Sequence, residues 1–260
     1  MLVVRGRGLF ELTGGTAVTF IDRADAGRRL ASLLTSRMPE GNVIVLGLPR
    51  GGVPVAAEVA AVLKAPLDVL PVRKLGVPFE PELAFGAIGE LDVRVVNESV
   101  VLSARLSDAS IQEVEARERD ALDQSRRRYR GERSVSSLRG KTAVIVDDGV
   151  ATGSTARAAC LVARARGAAR VVVAVPVAPR GWTRRLTDVA DDLVCVDTPR
   201  DLFAVGEFYQ DFAAVTDEEV RACLRRTSGG GRFTQVETDT EAHDVTGPRA
   251  IRSDHVRGPA

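Results

Sequence analysis

The chain has 260 residues, 45% of them hydrophobic, with 36 Lys and Arg set against 35 Asp and Glu. That is enough apolar material for one large α/β domain, or for a core with additions, that folds alone. A net charge near zero supplies no global field to make nucleic acid or an anionic membrane the main partner. No apolar stretch approaches membrane-spanning length, and the arginines and glycines between Met1 and Gly15 interrupt the apolar core that a signal peptide needs. The expected location is the cytoplasm.

In chain order, a first helix is predicted from Asp25 to Ser36 and an apolar strand from Asn42 to Leu46. Gly47-Leu48-Pro49-Arg50-Gly51-Gly52 follows, and then a helical pattern from Val53 to Lys64. Glycines let a backbone approach an anion closely, and Arg50 adds a forked cation suited to phosphate oxygens. A plain strand-to-helix turn with a stray arginine is the alternative. The strand Leu67–Val72 then runs into Arg73-Lys74 and the segment Leu75–Gly86. Its prolines and glycines oppose a regular helix or an inner strand, so a long mobile loop is predicted over about 73–90. Lys74 is one of only three lysines in the chain.

After a strand near 93–96, a polar helix is predicted over about 107–130, supported by Glu113–Arg117 and Glu115–Arg119 pairs in the favourable orientation. It ends in Arg126-Arg127-Arg128-Tyr129-Arg130, which reads as a solvated cationic C-terminus, with an RNA contact or subunit interface as the other use. Thr142–Val146 is β-branched enough for a central strand, and an open parallel sheet binds ligands beyond the carboxyl ends of its strands. There stand Asp147 and Asp148, then Gly149, Val150, Ala151, Thr152, Gly153, Ser154 and Thr155, leading into a helix over Ala156–Arg166. Amides and hydroxyls converging on a helix N-terminus favour a phosphate. The carboxylates can accept hydrogen bonds from vicinal ribose hydroxyls or hold a metal ion through water. Together these features describe a ribose 5-phosphate site, although an ordinary strand, Asp-rich turn and capped helix fits the residues alone about as well. Neither a P-loop nor a Gly-x-Gly-x-x-Gly fingerprint is present.

Strands at about 170–175 and 193–197 continue the alternation, which implies a mostly parallel sheet wrapped by helices. Phe203, Phe208, Tyr209 and Phe212 form an aromatic cluster in a chain with only 4% aromatic residues, ahead of a last helix over Asp217–Arg226. Residues 227–260 turn to Gly, Thr, Asp, Arg and Pro, too poor in apolar surface to offset ordering entropy, and are expected to be disordered. Cys160, Cys195 and Cys223 fall in helix, strand and helix patterns and read as buried thiols.

Four apolar residues, two acids and a loop ending Ala-Thr-Gly-Ser-Thr resemble the phosphoribosyl-diphosphate (PRPP) binding motif of type I phosphoribosyltransferases. Gly47–Gly52 is similar to the diphosphate loop of that family, where a non-proline cis peptide is common. The resemblance covers about residues 20–225 and is sharp only in these two loops. It implies an α/β, Rossmann-like type I phosphoribosyltransferase fold over residues 1–226, with a mostly parallel central sheet flanked by helices and a small hood at about 198–226. It also implies transfer of the 5-phosphoribosyl group from PRPP to a nitrogen heterocycle, a purine-like base being favoured, with release of diphosphate.

By the same resemblance, PRPP would be bound by Arg50, Gly51, Gly52, Asp147, Asp148, Gly149, Ala151, Thr152, Gly153, Ser154 and Thr155. Lys74, Arg73 and Asp148 would serve catalysis, with Glu90 or Glu82 as a proton-transfer group. The base would meet Phe203, which matches the stacking aromatic of purine enzymes in Asp201–Gly206, while Trp182 is expected to border the same pocket only from its place after a strand end. Magnesium would arrive with PRPP, reached by Asp147 and Asp148 only indirectly. Ala151 departs from the hypoxanthine-guanine enzymes, which carry an aspartate there, and looks more like the adenine enzymes; it removes the usual general base. A homodimer is implied. A binding module that senses PRPP or nucleotides, with residues 126–130 as its contact surface, stays open beside the enzyme.

Overall fold

The computed structural model describes residues 2–5, 8–10, 19–38, 42–130 and 133–228. Its core is a sheet containing β3 (Val43–Gly47), β4 (Leu67–Val69), β8 (Thr142–Val146), β9 (Arg170–Val177) and β10 (Asp192–Asp197), extended by β1 (Leu2–Arg5) and β2 (Gly8–Phe10). The strand order is β2-β1-β10-β9-β8-β3-β4, in which β10, β9, β8, β3 and β4 run parallel and the β1–β2 pair adds an antiparallel edge. The expected mostly parallel sheet is therefore present, and the antiparallel edge is an addition to it.

Every side chain of β8 is buried, as a strand covered on both faces requires. Alternation divides them. Ala143 and Ile145 pack with α5 (Ser154–Ala165), while Val144 and Val146 pack with α1 (Arg23–Thr35) and α2 (Gly52–Leu63). The register sets Gly47, the end of β3, beside Val146, the end of β8, so the two loops that follow emerge side by side.

The predicted loop at 73–90 is instead an antiparallel sheet of β5 (Val72–Val77), β6 (Glu80–Gly89) and β7 (Arg94–Val96), which corrects the sequence reading. Pro78 sits in the turn between β5 and β6, and Pro81 lies where the register shifts around Gly76, positions that spare the ladder from needing a proline N–H. Leu75, Val77, Phe85 and Ile88 close one face of this sheet against Val114 and Leu122 of α4 (Asp108–Arg130). A short helix, α3 (Glu98–Ser103), is capped by Asn97, whose side chain accepts from the Ser99 and Val100 amides. The last helix, α6 (Asp217–Ser228), carries helical structure through the first two residues of the expected tail. The remainder of that expectation lies outside the described residues.

Candidate active site

The Pro49–Arg50 peptide bond is cis, as the resemblance implies. Beyond it the chain turns directly into α2. A Cβ built on Gly51 would stand 1.9 Å from Asp148 Oδ2, and one on Gly52 would stand 2.5 Å from the Val146 carbonyl oxygen. No larger residue permits that approach, so the glycines bring the first loop into contact with the second. Arg50 itself is half exposed and reaches Asp217 at 3.8 Å, so it stands at the rim.

In the second loop, Gly153 takes a left-handed conformation (φ 80°) as the N-cap of α5. Thr152 and Ser154 hydroxyls lie 3.2 Å apart, and the Ser154 amide donates to Thr152 Oγ1. Ala151, Thr152 and Thr155 are exposed, and Gly153 is buried. Gly149 backs onto Val177 and Val205. Arg185, which sequence reasoning missed, donates to the Thr152 carbonyl at 2.9 Å, while Arg157 holds the Arg185 carbonyl and forks onto both oxygens of Asp188. The loop is thus braced from behind and presents its hydroxyls outward.

Asp147 and Asp148 lie between the two loops. Burial of the Asp147 carboxylate, followed by the charge of Asp148, pushes its pKa well above the usual carboxylate value. Burial also raises Asp148, and Arg23 pulls it back. Arg23 is absent from the sequence prediction. Its Nε and Nη2 both donate to Asp148 Oδ2 at 2.9 Å, its Nη1 donates to the Ala213 carbonyl at 2.8 Å, and its guanidinium stacks 4.0 Å from the Phe212 ring centroid. The sequence does carry a signal for it: a cation in the first turn of a helix opposes the dipole and calls for a nearby anion.

Arg73 and Lys74 separate. Adjacent residues on a strand point to opposite faces, and Arg73 faces α4, where it donates to Ser125 Oγ at 2.7 Å and to the Ala121 carbonyl. This corrects its assignment to the diphosphate. Lys74 shares the face of Val72, which packs in the layer that contains α5, the helix that follows the second loop.

Glu90 is likewise corrected. It is 3% exposed, and both of its oxygens accept from Arg130, which also donates to Asp68 and to the Val69 carbonyl. A carboxylate locked in this way cannot move a proton for a substrate. Arg130 therefore leaves the solvated basic run predicted for the end of α4 and belongs to the core.

Of the two predicted base contacts, burial corrects Trp182 and leaves Phe203 open to solvent. Trp182 is buried in the core beside Leu186 and Val189, its indole nitrogen unpartnered, because the turn after β9 folds it under the sheet edge. Phe203 is 88% exposed. The aromatics that do converge are Phe20, Phe208, Tyr209 and Phe212. Tyr209 packs on Phe20 and Phe212 and donates its hydroxyl to the Asp148 carbonyl at 2.6 Å. A cavity of about 820 Å³ adjoins Gly153 and Ser154, walled by Arg157 and Leu161 of α5 and by Leu83, Val96 and Val100 across from it.

Residues 21–211 match the family described as phosphoribosyl transferase domain. A provisionally named phosphoribosyl transferase of Mycobacterium tuberculosis, present in two strains, is 55% identical over 207 residues, or 80% of this chain. The chain spans about half the length (46%) of these relatives. A crystal structure from Thermus thermophilus is 43% identical, with a TM-score of 0.72, covering 80% of this chain and 99% of that one. A purine phosphoribosyltransferase from Pyrococcus horikoshii is 17% identical with a TM-score of 0.42, covering 77% and 99%, a likeness too slight to bear on base choice.

Proposed function

The chain belongs to the phosphoribosyl transferase domain family, and on that premise we propose that it transfers the 5-phosphoribosyl group of PRPP to a ring nitrogen of a purine-like heterocycle. The C1–oxygen bond to diphosphate breaks as the C1–nitrogen bond forms. The observation that supports this best is the contact between the two loops: a carboxylate pair at the sheet edge, the hydroxyl-bearing N-terminus of α5 on one side, and a bare glycine backbone on the other.

Each group then has a task. Thr152 to Thr155 hold the 5-phosphate with amides and hydroxyls. Asp147 and Asp148 accept hydrogen bonds from the ribose hydroxyls, fixing the sugar as C1 becomes cationic. Lys74, Arg50 and the Gly51 backbone meet the diphosphate, where negative charge builds in the transition state. The purine-like base approaches from the side of Tyr209 and Phe212, and no described residue takes the role of general base.

A magnesium ion fits as part of the substrate. Burial disfavours the charged forms of Asp147 and Asp148, and a nearby cation offsets that cost. Among the described residues no cluster of three or more His, Cys, Asp or Glu side chains suits a metal, so these two carboxylates would hold the ion through water. When bound, it neutralises diphosphate charge. Among the described residues no helix is long and apolar enough to cross a membrane. A cytoplasmic location and a homodimer are part of the same proposal, the homodimer on family resemblance alone.

Titration calorimetry with PRPP and magnesium, followed by diphosphate release over a panel of purines, pyrimidines and related heterocycles, tests the reading. Binding together with release for a purine-like compound upholds it. Binding without release for any base would favour a sensor, and no binding would remove PRPP as the ligand.

A further inference from the structure

We propose that Arg23 is a positioning residue for this reaction: it holds the Asp148 carboxylate aimed at the ribose, and ties it to the segment 209–213 that borders the base. The inference rests on the phosphoribosyl transfer proposed above. It comes from a side chain that neither loop motif contains, reaching Asp148 from 125 residues away in the sequence.

Three independent contacts restrain the guanidinium. Nε and Nη2 converge on a single oxygen, Asp148 Oδ2; Nη1 is taken by the Ala213 carbonyl; the flat face lies on Phe212. The side chain is 12% exposed and its partner 16%, so solvent screens this pair less than a surface ion pair. On its far side the same Asp148 oxygen meets the Gly51 backbone. The carboxylate is therefore gripped between α1 and the diphosphate loop and has little freedom to turn.

The placement of Arg23 is costly without this role. It opens α1, where the helix dipole repels a cation, and the first-turn acid that favours that end, Asp25, is engaged with Arg29 and with the Ile21 amide. The backbone around it is also fixed: the Phe20 amide donates to the Phe208 carbonyl, the Gln210 amide to the Phe20 carbonyl, and the Asp211 amide to the Ile21 carbonyl. Ala213, whose carbonyl Arg23 holds, is two residues further on. Arg23 thus links the N-terminus of α1, the 209–213 segment and Asp148 in one unit, so ordering at the base side is felt at the ribose side.

The test compares the full-length parent with Arg23→Met and Arg23→Lys, reading kcat and KM for PRPP, PRPP affinity by titration calorimetry, and melting temperature. Arg23→Met should raise KM and Kd for PRPP about tenfold with kcat little changed, as expected when a substrate-binding carboxylate loses its aim. Arg23→Lys, which keeps the charge and loses the fork, should raise KM as well. A parental KM in Arg23→Met overturns the inference, and so does a parental KM in Arg23→Lys. If Arg23→Met does not fold, Arg23→Lys decides by the same KM criterion. Failure of the parent to bind PRPP counts against phosphoribosyl transfer, and a parental KM in the variants counts against Arg23.

Discussion

Two pairs of carboxylates, one buried and one half-buried, are treated in opposite ways in this molecule. Asp68 and Glu90 surround Arg130, which gives nitrogens to both, and each is 3% exposed. Burial works against the charged Arg130, but its hydrogen bond to Glu90 and the charges of Asp68 and Glu90 outweigh it, so its pKa lies above the usual value. Asp147 and Asp148, at the sheet edge, have Arg23 beside them, which engages one oxygen of Asp148, and both have raised pKa values. The first pair is electrostatically complete and secures α4 to β4 and β6. The second is left short of positive charge where a cationic transition state and a metal-laden substrate would supply it. Incomplete compensation, rather than burial or charge alone, separates the candidate site from the structural cluster.

The strongest way to break this comparison is Arg130→Met. Two buried carboxylates would lose their partner, at a cost of about 3–5 kcal/mol. For a chain of this size that is a fall of about 6–20 °C in melting temperature, read by calorimetric scanning. A change under about 2 °C would show that the cluster is not the anchor described. Lys74→Ala should reduce kcat about 100-fold, the scale of losing one transition-state charge partner, while PRPP affinity by titration stays within a few-fold of the parent. An unchanged kcat would remove Lys74 from the diphosphate.

Asp148→Asn should weaken PRPP binding by about 10- to 100-fold, as expected for losing charge-assisted hydrogen bonds. Parental affinity in that variant would detach the carboxylate from the ribose. The smallest effect concerns pH. Asp147 has its pKa raised by folding, so the folded state holds its proton where the unfolded state has lost it, and stability falls as pH rises from the unfolded value, about 4, to the raised folded value. Asp147→Asn should remove that decline and leave the protein more stable than the parent above the raised value. A melting curve that falls in parallel with the parent over this window would contradict the raised pKa.

The two-loop side of the candidate site was legible because its parts are local. Strand, acids, loop and helix run consecutively from Thr142 to Ala165, and β3 with Gly47–Gly52 repeats the plan, so short-range sequence order and spatial order coincide. Arg23, Arg185 and Arg130 were illegible as partners because each reaches its target from a distant element. Phe203 stands out by its place in a motif, yet packing selects Phe212, whose face is covered by Arg23. Arg73-Lys74 reads as one cationic unit on a loop; once the segment pairs as a strand, alternation sends the two side chains apart.

Hydrophobic periodicity and glycine placement act over a few residues, so the parallel α/β architecture, the two loops and the residues that line them could be read from residue order. Which charges neutralise one another could not. Folding gave Glu90 and Asp68 to Arg130, gave Asp148 to Arg23, and left Asp147 undercompensated, because burial and partner geometry are set by elements that meet only in the folded chain.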